Sequence, residues 1–315
     1  MKTLTEILDK VEADTRTVLD SPNPPVEDIE PEDLDAYNLP DSSGDKWYRL
    51  DDVVVVFADL KNSTQLAVGK HPRTTAGIYR VATGNVVRVL NNLEADFIQI
   101  QGDGVFGLFW GDKRLERAIC AGITVKTFSE KVLQKKLESK WPNAPETGFK
   151  VGVAAGRVLV KNIGTFRDVD EQEPIWAGKP VNYAAKAAQQ ADRNELIVTG
   201  TVWLGIEGND YLTVSCGCAS SGSSSSMAVL WKDVEVDKLG HDEDDAAGRL
   251  LEACWCANCG PDFMQAILDG KTERDQTENV TKSLALSETF EASRLDKMRD
   301  NIARKRGLSR VKKRR

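Results

Sequence analysis

The stretch that decides the fold spans residues 53–64 and reads VVVVFADLKNST. Four valines and Phe57 form an apolar run that is too short to cross a membrane, and such a run predicts a strand covered on both faces. The strand ends at Asp59, where the turn of residues 61–64 begins. A single acid at this place either caps the turn or holds a cation, and the strand alone leaves both interpretations open.

A second stretch, residues 96–110 (DFIQIQGDGVFGLFW), carries another acid between two β-rich runs. The Gly102-Asp103-Gly104 tripeptide separates these runs, which predicts a β-hairpin with Asp103 at its tip. If the hairpin pairs beside the first strand, Asp59 and Asp103 converge. Two carboxylates with an open face are suited to Mg²⁺ or Mn²⁺ that holds the phosphates of a nucleotide.

The element order predicts an α+β fold with a ferredoxin-like βαββαβ core. Such a core brings the first strand next to the hairpin, as the convergence of the two acids requires. The predicted elements after the first strand are a helix over 74–93, the hairpin, a helix after an N-cap at Asp112 that ends at Lys140, strands over 149–155 and 158–163 with a turn at Gly156, a helix over 181–191, and a strand over 195–199.

Length and composition indicate one large or two ordinary domains in a chain of 315 residues with a net charge of −7. The negative charge argues against a general nucleic-acid binder, and no segment is apolar and long enough to span a membrane, so we expect a cytoplasmic protein. The predicted organisation begins with an N-terminal helix and a loosely packed acidic linker (1–47), followed by a central domain that holds both acids (48–205). A cysteine-rich appendage (206–270) comes next, and residues 271–315 form a C-terminal helix (281–306) and a basic, solvated tail.

The appendage holds five of the six cysteines. The C-x-x-C-G form of Cys256 and Cys259 is typical of a zinc knuckle, and Cys216 and Cys218 could supply the other two thiolates. Cys254 and His241 are substitute ligands, and a set of reduced free thiols is the alternative. The intervening residues 220–226 predict a flexible loop.

Three motifs in order resemble those of the class III nucleotidyl cyclases. They are FADLKNST (57–64), QGDGVF (101–106) and GKPVNYAAK (178–186), with VGVAAGRV (151–158) between the second and third. Each motif is weak alone, but together they are fairly specific, and they cover about half of the chain.

The resemblance implies attack of a ribose 3′-oxygen on the α-phosphate, with pyrophosphate leaving and a 3′,5′-cyclic nucleotide forming. It assigns Asp59, Asp103 and the Leu60 carbonyl to two Mg²⁺ or Mn²⁺ ions, Asn182 to the ribose, and Lys186 to the developing charge. Lys186 stands where the family usually has arginine, so the charge is kept and the two-pronged geometry is lost. The resemblance also implies a homodimer in which the acids come from one subunit and Asn182 and Lys186 from the other.

The base-reading positions depart from those of the purine cyclases. Gln99 stands where adenylate cyclases carry lysine, and Ile175 or Trp176 stands where they carry aspartate or threonine. With Phe57, these residues predict a tighter pocket with an amide partner, because a glutamine can pair with uracil or cytosine.

This pattern resembles the pyrimidine cyclases of bacterial antiphage (Pycsar) systems, whose product activates a separate effector. We expect UTP rather than CTP as the substrate and cyclic UMP as the product. A cytidylate cyclase that makes cyclic CMP and an adenylate or guanylate cyclase are the alternatives within the same class. A catalytically silent nucleotide-binding scaffold is the alternative from a different class.

Overall fold

The computed structural model describes residues 2–36, 39, 45–143, 145–164, 172–218 and 227–274. The predicted C-terminal helix, the basic tail and the serine-rich loop of residues 220–226 lie outside these ranges.

Strand β2 (Trp47–Leu60) lies at the centre of the core sheet. It pairs antiparallel with β4 (Gly104–Phe109) along one edge and with β5 (Phe149–Gly164) along the other. Strand β3 pairs antiparallel with β4, so the core order is β5-β2-β4-β3. This is the arrangement of a ferredoxin-like core, and it confirms the predicted α+β fold. The strands are β2 (Trp47–Leu60), β3 (Phe97–Gln101), β4 (Gly104–Phe109) and β5 (Phe149–Gly164).

Helices cover both faces of this core. Leu90 of α3 packs against Gly107 of β4 on one face. On the other face Ala184 of α6 belongs to the same buried cluster as Val53 and Val55. The helices are α2 (Ser63–Ala67), α3 (Pro72–Asn92), α4 (Arg114–Phe128), which continues through a π-helical stretch (Ser129–Gln134) into α5 (Lys135–Lys140), and α6 (Lys179–Gln190).

Further strands extend the described sheet beyond the core. On the side of β5, β7 pairs parallel with β5 and β9 pairs antiparallel with β7. β6 also pairs antiparallel with β5, and β1 runs parallel to β2. The remaining elements are α1 (Leu4–Leu19), β1 (Val26–Asp28), β6 (Gln172–Gly178), β7 (Glu195–Val198), α7 (Gly200–Ile206), α8 (Asp210–Thr213), β8 (Trp231–Glu235), α9 (Glu243–Ala246), β9 (Ala247–Leu251) and α10 (Gly260–Leu268).

The turn predicted at Gly156 is wrong. β5 is continuous through this position, and Gly156 (φ +152°) faces a register shift between Leu50 and Val53 of β2. The local irregularity bends the two paired strands without ending either of them.

Two other local predictions also fail. Lys113, with φ +49°, stands at the N-cap of α4 and makes no side-chain cap, so Asp112 does not cap the helix. The acidic segment before β2 is not loosely packed, because Leu34, Ala36 and Leu39 are buried in the core cluster. Spaced apolar residues among the acids anchor the segment to the sheet.

The chain divides into two compact units. The first comprises the described residues of 1–205 and of 232–254, so β9 and most of β8 belong to the first unit, whereas the sequence analysis assigned them to the appendage. The second comprises the described residues of 206–231 and of the chain from 255 onward, and it contains α8, α10 and all four predicted zinc ligands. Among the described residues, no helix is both long enough and apolar enough to cross a bilayer.

The contact between β5 and α6 fixes the position of the GKPVNYAAK helix. A Cβ at Gly152 would overlap the carbonyl oxygen of Ala184 and lie 2.5 Å from the amide nitrogen of Ala188. Only glycine at this position allows the helix backbone to rest directly on the strand.

Gly152→Ala should therefore push α6 off the sheet and lower the free energy of unfolding by about 2 kcal/mol, the usual cost of overpacking a core. Gly84→Ala is the matched control, because a Cβ at Gly84 in α3 meets nothing within 4 Å. The control should stabilise the protein by about 0.5–1 kcal/mol. Urea denaturation of the two variants tests this, and equal stabilities would contradict the close contact.

Candidate active site

The first predicted acid lies at the end of β2, beside the hairpin. Ala58 pairs with Val105, so Asp59, one residue further along, lies alongside Gly104 and next to the turn that carries Asp103. The Asp59 side chain is 27% exposed, which leaves its carboxylate open to a ligand. The strand register thus brings the two predicted metal acids to the same edge of the sheet. Leu60, the third predicted ligand, pairs with Phe149 of β5.

The two glycines of the hairpin have separate roles. Gly102 has φ +65°, a left-handed conformation that a tight hairpin turn needs and that most residues avoid. Gly104 leaves room for an aromatic ring, because a Cβ there would lie 2.9 Å from two ring atoms of Phe57. The Gly-Asp-Gly sequence therefore both turns the chain and admits Phe57 against β4.

A lysine that the sequence did not reveal as a site residue is paired with Asp59. Lys150 is the cross-strand partner of Asp59 on β5, and its Nζ lies 2.7 Å from Oδ2 of Asp59. The two side chains are only 17% and 27% exposed, so this ion pair is partly shielded from water. Lys150 therefore competes with any other cation for this carboxylate oxygen.

The predicted base-reading residues share one face of the sheet. Gln99 and Phe57 both pair with Phe106, one on each side. The Phe57 and Phe106 rings stack with centroids 4.1 Å apart. The three side chains therefore form a row across β3, β4 and β2, two residues before Asp59 on β2.

Trp176 lies on the same face as this row. It is buried against Phe97 and Trp110, with ring centroids 5.2 and 5.5 Å away. Its Nε1 is buried and has no hydrogen-bond partner among the described residues. Ile175 alternates to the other side of β6 and is 45% exposed, so the structure brings Trp176 rather than Ile175 towards the strand that carries Gln99.

Asn182 and Lys186 lie one turn apart on α6 and line an open cleft. The remaining lining residues are Gly178, Lys179, Tyr183, His241, Asp242 and Glu243.

Three of those lining residues form a network on which the sequence offered no information. The Tyr183 hydroxyl donates to Oδ2 of Asp242 (3.0 Å), and the Nζ of Lys179 lies 2.6 Å from the same oxygen. The hydrogen bond from Lys179, together with that from Tyr183, holds the pKa of Asp242 below its usual value. Burial, and then the hydrogen bond to Asp242, raises the pKa of Tyr183. This network fixes the first turn of α6, and it forms between segments about sixty residues apart in the chain.

The structure thus brings the predicted residues together in two groups. Asp59, Asp103, Phe57 and Gln99 lie around the hairpin, whereas the cleft beside Asn182 and Lys186 is lined by neither acid. The four predicted zinc ligands lie in the second unit.

The antiparallel strand order and the acid at the end of the central strand agree with the class III nucleotidyl cyclase fold that the sequence motifs predict. No family model matches the chain. A uridylate cyclase of Micromonospora echinofusca is 47% identical over 283 residues, covering 90% of each chain. A uridylate cyclase of Propioniciclava tarda is 45% identical over 300 residues, covering 95% of this chain and 94% of that one.

The chain belongs to the uridylate cyclase family. It is a nucleotidyl cyclase, a phosphorus–oxygen lyase. Among solved structures, a class III adenylyl cyclase-like ATP-binding protein from Pseudomonas aeruginosa is 18% identical, with a TM-score of 0.49 over 83% of this chain and 48% of that one.

The ion pair of Asp59 with Lys150 predicts that removing the lysine charge will strengthen Mg²⁺ binding and weaken catalysis on the nucleotide. In Lys150→Gln, loss of the competing cation should reduce the Mg²⁺ concentration for half-maximal activity several-fold. The same change should lower kcat/KM for the nucleotide about tenfold, as loss of one charge-assisted hydrogen bond does.

Lys232→Gln removes the same charge from an exposed pair with Glu252 and should alter neither quantity. Steady-state assays over a Mg²⁺ series measure both. A higher Mg²⁺ requirement in Lys150→Gln would contradict the competition between lysine and metal.

Proposed function

We propose that the protein converts UTP to 3′,5′-cyclic UMP and pyrophosphate. The observation that carries the proposal is the row of Gln99, Phe106 and Phe57 beside the acid-bearing hairpin. It offers one amide and an aromatic stack, which suits a base smaller than a purine. The uridylate cyclase names of two relatives at 45–47% identity support uracil over cytosine.

The donor set at the hairpin fits divalent cations. Asp59 and Asp103 offer carboxylate oxygens and Leu60 a backbone carbonyl, which are the ligands that Mg²⁺ and Mn²⁺ prefer. When bound, two such cations would neutralise the triphosphate and favour ionisation of the ribose 3′-hydroxyl. The Asp59 side chain is 27% exposed and becomes accessible for this role when Lys150 releases it.

The side chains of the chain itself supply position and charge. Asn182 donates from its amide to the ribose and orients the 3′-oxygen towards the α-phosphorus. That oxygen forms the new P–O bond while the bond to pyrophosphate breaks, and Lys186 lies beside the negative charge that develops. Lys150, freed from Asp59, contacts the leaving phosphates. The base stacks beside Phe57, and Gln99 binds its polar edge.

The separation of the two residue groups favours a homodimer with composite sites. One chain offers the acids at the hairpin and, at a different place, the cleft with Asn182 and Lys186. A second copy related by two-fold symmetry would present its cleft to the first copy's hairpin, and the reverse. Two complete sites then form in each dimer.

We also propose that the cyclic nucleotide is a second messenger made in the cytoplasm during phage infection and read by a separate effector protein. The resemblance to the antiphage pyrimidine cyclases supports this role. Nucleotide extracts of infected and uninfected cells that carry the gene test it, and equal cyclic UMP in both would contradict it.

The substrate is tested with purified protein, Mn²⁺ and each of UTP, CTP, ATP and GTP separately, with the products resolved by chromatography and mass spectrometry. Cyclic UMP should dominate. Asp59→Ala should reduce its formation at least about a hundredfold, because the reaction depends on electrostatic stabilisation. Cyclic CMP, cyclic AMP or cyclic GMP as the main product would overturn the assignment of the base, and absence of any product would favour a silent nucleotide-binding scaffold.

Mixing two inactive variants tests the composite site. Asp59→Ala and Asn182→Ala should each be inactive alone. After mixing and subunit exchange, mixed dimers hold one site with both substitutions and one with neither, so about a quarter of wild-type activity should return.

Asp59→Ala mixed with Asp103→Ala is the matched control, because both substitutions fall in the same residue group and no intact site can form. Recovery in neither mixture, with exchange verified by mass spectrometry, would contradict the composite arrangement.

A further inference from the structure

Four cysteines of the second unit converge although they come from two distant segments. Cys216 and Cys218 form the first pair, and Cys256 and Cys259 lie about forty residues later in the sequence. Their sulfur atoms all lie within 4.8 Å of one another. Four ligands around a zinc ion at the usual Zn–S bond length of about 2.3 Å would have sulfurs about 3.8 Å apart. The cluster therefore has the size of a tetrahedral metal site.

The backbone at the first pair is shaped for two ligands on one ion. Gly217 has φ +70°, the left-handed conformation that a residue with a side chain rarely adopts. This turn places the sulfurs of Cys216 and Cys218 on the same side, although neighbouring side chains in an extended chain alternate. Arg274 donates to the carbonyl oxygens of Val214 (2.9 Å) and Ser215 (3.4 Å), which anchors the chain immediately before the first ligand.

The backbone at Cys256 and Cys259 also holds its two cysteines close together. Cys259 is the residue from which α10 begins, and a Cβ at the next residue, Gly260, would meet Trp255 at 3.0 Å. The Gly260 amide donates to the Cys256 carbonyl oxygen at 2.8 Å, which closes a turn around the second pair of ligands.

The other two residues that the sequence suggested as ligands have different partners. The Cys254 thiol donates to Glu130 (3.1 Å) and accepts from the fully buried Lys126 (3.3 Å). His241 lies 3.2 Å from the Tyr183 hydroxyl. A disulfide does not explain the cluster either, because all six cysteines are free and the sulfurs of Cys218 and Cys259 are 3.3 Å apart, against about 2.05 Å in a disulfide.

We propose that Cys216, Cys218, Cys256 and Cys259 bind one Zn²⁺ as a structural site. Four thiolates complete the tetrahedron and leave no position for a substrate, so the ion takes no part in catalysis. Its role is to join residues 211–218 to residues 255–260. The described part of the second unit has only a four-residue and a nine-residue helix of its own, and a small core of this kind commonly needs a metal or disulfide to fold stably.

Metal analysis of the full-length protein, purified without chelators, tests the site. Wild type should contain about one zinc per chain. Cys216→Ser and Cys259→Ser should lose it and melt at a lower temperature, whereas the matched control Cys254→Ser, two residues from a ligand, should keep it. Cys259→His, which offers a nitrogen ligand in place of sulfur, should also keep the metal.

A second measurement avoids any variant that fails to fold. Wild-type protein stripped of metal and titrated with Co²⁺ should show the visible bands of tetrahedral cobalt and a thiolate-to-cobalt charge-transfer band, both saturating at one Co²⁺ per chain. Zn²⁺ should then abolish both. Absence of these bands together with absence of zinc would overturn the proposal, as would iron as the native metal or equal zinc loss in Cys254→Ser.

Discussion

Pairing of β2 with β4 on one side and β5 on the other is the constraint on which the site depends. Val53 to Val56 are at most 2% exposed, so the strand is fixed by burial on both faces. In β2 the side chains of Val53, Val55 and Phe57 lie on the face that is covered by α6. Asp59 is two residues after Phe57 and therefore lies on the same face. A register slip of one residue would turn Phe57 and Asp59 to the face of α3 and α4. The hydrophobic core thus determines where the carboxylate emerges.

The parts of the fold that follow from local chemistry were predictable from the sequence. An uninterrupted valine run predicts a strand with both faces covered, and glycine on each side of Asp103 predicts a tight hairpin. These two predictions, joined by the element order, were sufficient to place Asp59 near Asp103. The coarse fold and the neighbourhood of the acids therefore required no tertiary information.

Features that depend on register or on distant segments were not predictable. Lys150 is an ordinary lysine in an alternating strand until pairing with β2 places it opposite Asp59. Asp242 reaches Tyr183 from a segment with a composition typical of a solvated turn. Gly156 resembles a turn residue locally, but two long paired strands accommodate it as a bend, because breaking the ladder would leave backbone groups unpaired on both.

The proposed division of the catalytic residues between two copies of the chain has a consequence for regulation. An enzyme whose acids and whose Asn182–Lys186 cleft must come from different copies is inactive as a monomer, however well its core is folded. Its rate then depends on the fraction of chains that are paired, which rises with protein concentration by mass action. Any contact that orients the second copy differently would leave the hairpin acids and the Asn182–Lys186 cleft intact in each copy, but the enzyme would be inactive. Activity would in that case be controlled at the interface between copies, while the buried strands that hold each half-site stay unchanged.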